Sequence, residues 1–193
     1  DPSAGLAVNL GAHNLTVGNA GMVVSAGAIT ATGSPDATSD ILVTQDAVGA
    51  MTFTIGSVAA AVADLIVTSK ANGTGAVTVT VTGTTAVAEG LAILNLNTAN
   101  DLATTVNYGG AVTVAAGKDF DITGAAGDSA GANAIANIKG AGTNSLVDVN
   151  LDDDTGKAYL IAAGTADQTI SGTIDGAGAN EGTIQNSNTG GTV

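Results

Sequence analysis

Short apolar runs, alternating or continuous but never longer than a strand, constrain this chain more than any other feature. Ile41 to Thr44, Met51 to Ile55, Leu65 to Thr68, Ala76 to Thr82, Leu91 to Leu96 and Phe120 to Thr123 are such runs. Ala134 to Ile138, Leu146 to Leu151, Ala158 to Ala162 and Gln168 to Ile174 continue the series. Between them stand clusters such as Gly33-Ser34-Pro35-Asp36 and Asn72-Gly73-Thr74-Gly75, which supply the positive-φ and side-chain-to-backbone turns that consecutive strands need. An all-β fold is expected. Ser57 to Asp64 and Thr85 to Gly90 leave room for a single helical turn each, against a loop or strand reading. Segments this short make marginal helices.

What fills the interior decides the kind of β fold. Aromatic residues make up only 2% of the 193 residues and Trp and Cys are missing, yet the hydrophobic fraction is 45% and Gly occurs 28 times. Ala, Val, Ile and Leu must therefore supply the core. Degenerate repeats run through the chain without a clean period: GAVTV at Gly75 to Val79 and Gly110 to Val114, AGAN at Ala130 to Asn133 and Ala177 to Asn180, GTI at Gly172 to Ile174 and Gly182 to Ile184. A strand every ten or so residues suits a β-sandwich or jelly roll, and it suits a β-solenoid with two or three short strands per coil. Sandwich cores usually employ large aromatics. A solenoid stacks like on like and tolerates a thin aliphatic interior with Asn, Thr and Gly at its corners, so a β-solenoid of the parallel β-helix kind is favoured and the sandwich is the alternative. One domain spanning 1–193 is expected. Gly124 to Gly131 is the one linker-like stretch, and in a solenoid it is a long corner.

Charge narrows the partners. Seventeen acidic residues face four lysines (Lys70, Lys118, Lys139, Lys157), giving a formal charge of −13. Phosphate neutralisation needs clustered Lys or Arg and base stacking needs aromatics, so nucleic acid is not an expected partner, nor is an anionic membrane surface. No apolar run reaches the length of a membrane-spanning helix. Cations are the natural counterions, calcium above all for carboxylate oxygens. The opening Asp1-Pro2-Ser3-Ala4, with neither an initiator Met nor a basic and apolar leader, reads as a mature, processed or excised product; export is the expectation, and a fragment cut for expression explains the opening equally well.

The sharpest local feature is Asp148-Val149-Asn150-Leu151-Asp152-Asp153-Asp154-Thr155-Gly156. On a strand, alternation puts Asp148, Asn150, Asp152 and Asp154 on one face and Val147, Val149 and Leu151 on the other. That row of oxygens is the candidate Ca²⁺ site; the competing reading is a solvated strand end running into an ordinary turn. Asp119 and Asp121 bracket Phe120 and share a face, but with no Arg and few aromatics around them they do not make an expected catalytic pair. His13 is the only histidine, which leaves no basis for a multi-His metal site or a Ser-His-Asp triad. Asn14-Leu15-Thr16 and Asn72-Gly73-Thr74 are formal glycosylation sequons of the kind that arise by chance in a Thr- and Asn-rich chain. No enzymatic activity is expected.

The stretches QTISGTIDGAGANEGTIQNSNTGGTV (Gln168 to Val193) and GGAVTVAAGKDFDITG (Gly109 to Gly124) resemble the passenger and surface-layer proteins of Gram-negative bacteria. These include the rickettsial autotransporter surface antigens and Ala/Thr/Gly/Val-rich S-layer proteins. The resemblance implies an exported, often solenoidal protein that coats cells or mediates adhesion, with calcium in many S-layers. No calcium-binding GGxGxDxUx array accompanies it. The expected function is a structural subunit that assembles with copies of itself into an extracellular layer, sheath or filament, because a thin fold with open edges is stabilised by another copy. The alternative is an adhesin segment that binds a cell-surface or host ligand.

Overall fold

The computed structural model describes residues 8–9, 15–17, 23–30, 40–45, 49–69, 71, 73–126, 131–153, 155–176, 178 and 181–193, with backbone alone before residue 40. Of the sequence features above, His13, Asn14, Asn72, Lys70, Asp154, the Gly33 to Asp36 turn and part of both AGAN repeats lie outside them.

Among the described residues every regular element is a strand. In chain order they are β1 (Val8–Asn9), β2 (Leu15–Val17), β3 (Val23–Thr30), β4 (Ile41–Thr44), β5 (Met51–Val58) and β6 (Asp64–Thr68). There follow β7 (Val77–Val81), β8 (Thr85–Val87), β9 (Gly90–Leu94), β10 (Thr104–Tyr108), β11 (Val112–Val114) and β12 (Asp119–Thr123). The chain ends with β13 (Ala134–Ile138), β14 (Gly142–Asp152), β15 (Ala158–Ala162), β16 (Gln168–Gly176) and β17 (Thr183–Asn186). Neither of the two stretches with helical potential forms a helix. Ser57 and Val58 finish β5, Asp64 opens β6, and Thr85 to Val87 are β8. Their β-branched neighbours are held by pairing to the coils on either side, which a lone helical turn does not offset.

All pairings are parallel and join strands one coil apart, so the chain is a β-solenoid of about five turns. Met51 stands beside Val77 and Val77 beside Thr104, offsets of 26 and 27 residues. Three faces result. Face one stacks β5, β7, β10, β13, β15 and β17. Face two stacks β8, β11 and the first halves of β14 and β16. Face three stacks β4, β6, β9, β12 and the second halves of β14 and β16. The ladders run without a break past 124–131, since β10 pairs β13 and β12 pairs β14 across that stretch.

Alternation then sorts each strand into core and surface. On face one the inward column runs Phe53, Val79, Val106, Ala136, Leu160, all buried. On face three it runs Leu65, Leu91, Phe120, Val149. Volumes are traded between faces: Tyr108 of face one meets Phe120 of face three edge-on, ring centroids 5.9 Å apart at 86°, and the following coil carries Ala134 and Ala136. Outward on face one lie two further columns. One reads Thr52, Thr78, Thr105, Ile135, Tyr159, Thr183; the other reads Thr54, Thr80, Asn107, Asn137, Ile161, Gln185.

Buried amides staple the corners, where backbone leaves the ladder and its carbonyls need donors. Asn95 donates through Nδ2 to the carbonyls of Leu102 (2.7 Å) and Asn133 (3.0 Å) while accepting the Ser69 hydroxyl at 2.8 Å. Gln168 donates through Nε2 to Ile138 O (3.0 Å) and Gly140 O (2.9 Å). Gln45 Nε2 reaches Gly75 O at 2.7 Å.

Candidate functional site

Face three gathers the acidic residues. The register sets Asp119 beside Asp148, Asp121 beside Asn150 and Asn150 beside Asp175, so two features that stand apart in sequence become one outward row. Asp148, Asn150 and Asp152 do share the outward side, with Val149 and Leu151 buried behind them. Val147 departs from the expected alternation. It sits at the corner where β14 leaves face two for face three, with φ 63° and a register shift between Ser145 and Val147, so its side chain packs partly against the core at a bend. Asn150 is engaged as a donor, its Nδ2 bonding Asp121 Oδ1 at 2.9 Å. That bond relieves the repulsion a third carboxylate would add. Asp153 turns away from the row: its carboxylate accepts Ala158 N at 2.6 Å and Lys157 Nζ at 3.1 Å, fixing the turn into β15. Among the described residues no three acidic or histidine side chains converge tightly enough to hold a metal ion.

Further down the same face is a groove of about 470 Å³ lined by Asp64, Glu89, Gly90, Lys118, Asp119 and Asp121, with Ile66 and Ala92 in its floor. A side chain at Gly90 would crowd it, since a Cβ there would come within 3.1 Å of Asp64 Oδ1 and of Asp119 O. Lys118 pairs with Glu89 across the rim, and that contact holds its ammonium above the ordinary lysine range. Asp40 precedes Ile41 as Asp64 precedes Leu65, so the two carboxyls face each other on adjacent coils. The Asp64 carboxyl is pushed up to about 6, first by burial, then by the charge of Asp40, the hydrogen bond to Asp40 and the charge of Glu89; the Gly90 N–H opposes these. A hydrogen bond between two carboxyls requires a proton on one of them. Neither residue stands out in the sequence, because they belong together only through the 24-residue offset of coils β4 and β6.

The second notable surface is the C-terminal end of the solenoid. β17 pairs with β15, and among the described residues no strand covers its outer edge. Ile184 stands over buried Leu160, at the position the core column would occupy one coil further on, and is 62% exposed. The segment beyond it is fastened down: Asp167 Oδ1 accepts Thr192 N at 2.8 Å and its hydroxyl at 3.0 Å, which holds the Asp167 carboxyl below the usual range. Asn188 Nδ2 donates to Ala166 O at 2.7 Å and to Gln168 Oε1 at 2.9 Å.

Comparison of the chain with protein-family models, with curated proteins and with solved structures returned no match.

Proposed function

We propose that this chain is a structural subunit of an extracellular surface assembly, in which copies join end to end by continuing the parallel stack. The ladder itself carries the reading: coil after coil is joined by parallel backbone pairing in matched register, and a second copy of the same coil geometry can use that same mode of contact. Ile184 continues the core column beyond Leu160 and is 62% exposed, so the inward positions of the coil repeat as far as β17. An occupant must present parallel strands of the same coil geometry, and the opposite end of the same chain has it, with β2 stacked on β4 and β1 on β3. The acidic composition fits a saline or calcium-containing exterior in which cations screen the formal charge of −13.

Light scattering and sizing of the full chain test this. Large species are expected, and Ile184→Asp should require at least tenfold higher concentration to form them, since burying an isoleucine is worth about 1.5–3 kcal/mol and each 1.4 kcal/mol is a decade. A strictly monomeric wild type at high concentration overturns the reading. Calcium belongs to the same proposal, with Asp148, Asn150, Asp152 and Asp154 as its expected oxygen donors. At matched ionic strength calcium should raise the large fraction above that in sodium, and a chelator should reverse it. Equal fractions in the two salts would reduce the acidic row to a solvated strand.

A further inference from the structure

End-to-end stacking alone gives a filament; a layer or sheath also needs contact between filaments. Such a contact rests on the proposed self-assembly, and charge is spread unevenly over the faces. Face three carries Asp64, Asp119, Asp121, Asp148, Asp152 and Asp175 on its outer side. The two outward columns of face one carry no charged side chain in any described strand from β5 to β17. In a chain of formal charge −13 this asymmetry is large. Face two is uncharged as well, but its β8 and β11 have only three residues each; an ion pair borders either face, Glu89–Lys118 beside face two and Asp153–Lys157 just before β15 of face one. Face one is wider, with five-residue strands.

Face one is also ordered and partly apolar. Asn137 Nδ2 donates to Asn107 Oδ1 at 3.1 Å and Asn107 Nδ2 to Thr80 Oγ1 at 3.5 Å, so the polar half forms a ladder along the solenoid. Beyond it Tyr159 lies beside Ile135, with Ile161 two residues along the same strand. Tyrosine flanked by aliphatics is a common anchor in protein interfaces.

We infer that face one is the lateral contact of this protein, packing against face one of a second copy. It is the wide face on which two strongly acidic chains approach without bringing like charges together. Six strands about 4.8 Å apart and five residues of about 3.3 Å each make a patch of about 400 Å². That is roughly half of the ~800 Å² per partner of a stable complex. One such contact is weak, and rows of them along two filaments hold by multivalency.

The chain has no cysteine, so single thiols report the contact directly. Thr78→Cys places one on face one and Ala92→Cys one on face three. Under a mild oxidant, with rates normalised to each thiol's reactivity toward a monomeric disulfide reagent, Thr78→Cys should give covalent dimer at least about tenfold faster. Adding Ile161→Glu, an outward change that leaves the core intact, should slow the Thr78→Cys reaction to the face-three rate. Equal rates for the two thiols, in a protein that still forms large species, overturn the lateral contact while leaving end-to-end assembly standing. Absence of large species in the parent protein is failure of the assembly reading instead, distinguishable because it appears before any cysteine is introduced.

Discussion

Replacing Gly110 with alanine should lower the unfolding free energy by about 3 kcal/mol, although alanine is the smallest side chain that can be added. Gly56, Gly83, Gly110 and Gly140 line one corner between faces one and two, each against the next coil. A Cβ at Gly110 would lie 2.5 Å from the carbonyl carbon and oxygen of Gly83 and 2.7 Å from Thr84 N. One at Gly83 would lie 2.5 Å from Gly56 O, and one at Gly140 would lie 2.2 Å from Gly110 O. These are backbone atoms, so no rotamer change relieves the clash. The column is hydrogen-bonded as well, with Gly83 N to Gly56 O at 2.6 Å and Gly110 N to Gly83 O at 3.0 Å, so separating the coils also loses bonds.

Gly117 supplies the control. Its φ is 72° and a Cβ there meets nothing within 4 Å, so Gly117→Ala carries only the left-handed penalty of about 1 kcal/mol. Urea denaturation of the two variants measures the difference. Equal losses would mean that corner packing contributes nothing beyond backbone conformation.

That glycine corner also explains how far the fold was readable from residues alone. Gly75 to Val79 and Gly110 to Val114 share the pentapeptide GAVTV, yet the first ends in β7 on face one and the second is β11 on face two. The GTI triplets divide in the same way, Gly172 to Ile174 on face three and Gly182 to Ile184 on face one. Each repeat encodes a corner followed by an alternating strand, a unit that a three-faced coil presents three times per turn. Sequence similarity therefore marks strands and corners but not the coil period, which itself varies: Thr104 stands beside Ala134, an offset of 30, although Val77 stands beside Thr104, an offset of 27. All-β character and stacking followed from alternation and small side chains. Register did not, because Val, Ile, Leu and Ala at the inward positions are nearly interchangeable in shape and many offsets bury them equally well.

The site follows the same division. Asp148, Asn150 and Asp152 could be placed on one outward face from period-two alternation within a single strand, and they lie there. Their neighbours Asp119 and Asp121 come from the coil before, and the Asn150–Asp121 hydrogen bond depends on a register invisible in either segment. Asp40 and Asp64 carry no signal in the sequence for the same reason. Each is an isolated acid at the start of a strand, and only the pairing of β4 with β6 makes them a proton-sharing pair.

The Asp40–Asp64 pair gives the second large expected effect, a stability that rises as the solution is acidified from pH 7.5 toward 4.5. The Asp64 carboxyl moves from an ordinary 3.8 up to about 6 on folding, so between those values the native chain holds a proton that the unfolded chain has released. Its contribution is fully present below the unfolded value and is lost as pH climbs through the folded one. With solvent screening of a part-exposed carboxyl allowed for, the gain on acidification is about 1–2 kcal/mol. Relief of general repulsion in a chain of formal charge −13 acts in the same direction, so the wild-type curve alone does not isolate the pair. Asp64→Asn does: it keeps the shape, supplies an N–H donor to Asp40 at every pH and removes a negative charge beside Glu89. It should be more stable than wild type at pH 7.5, nearly equal to it at pH 4.5, and correspondingly flatter between. Asp40→Asn should flatten the curve too, since it removes the neighbouring charge that helps raise Asp64. Thermal melts at fixed ionic strength in that window measure all three chains, and a wild-type slope retained by Asp64→Asn would assign the pH dependence to diffuse charge and leave the pair without a part in it.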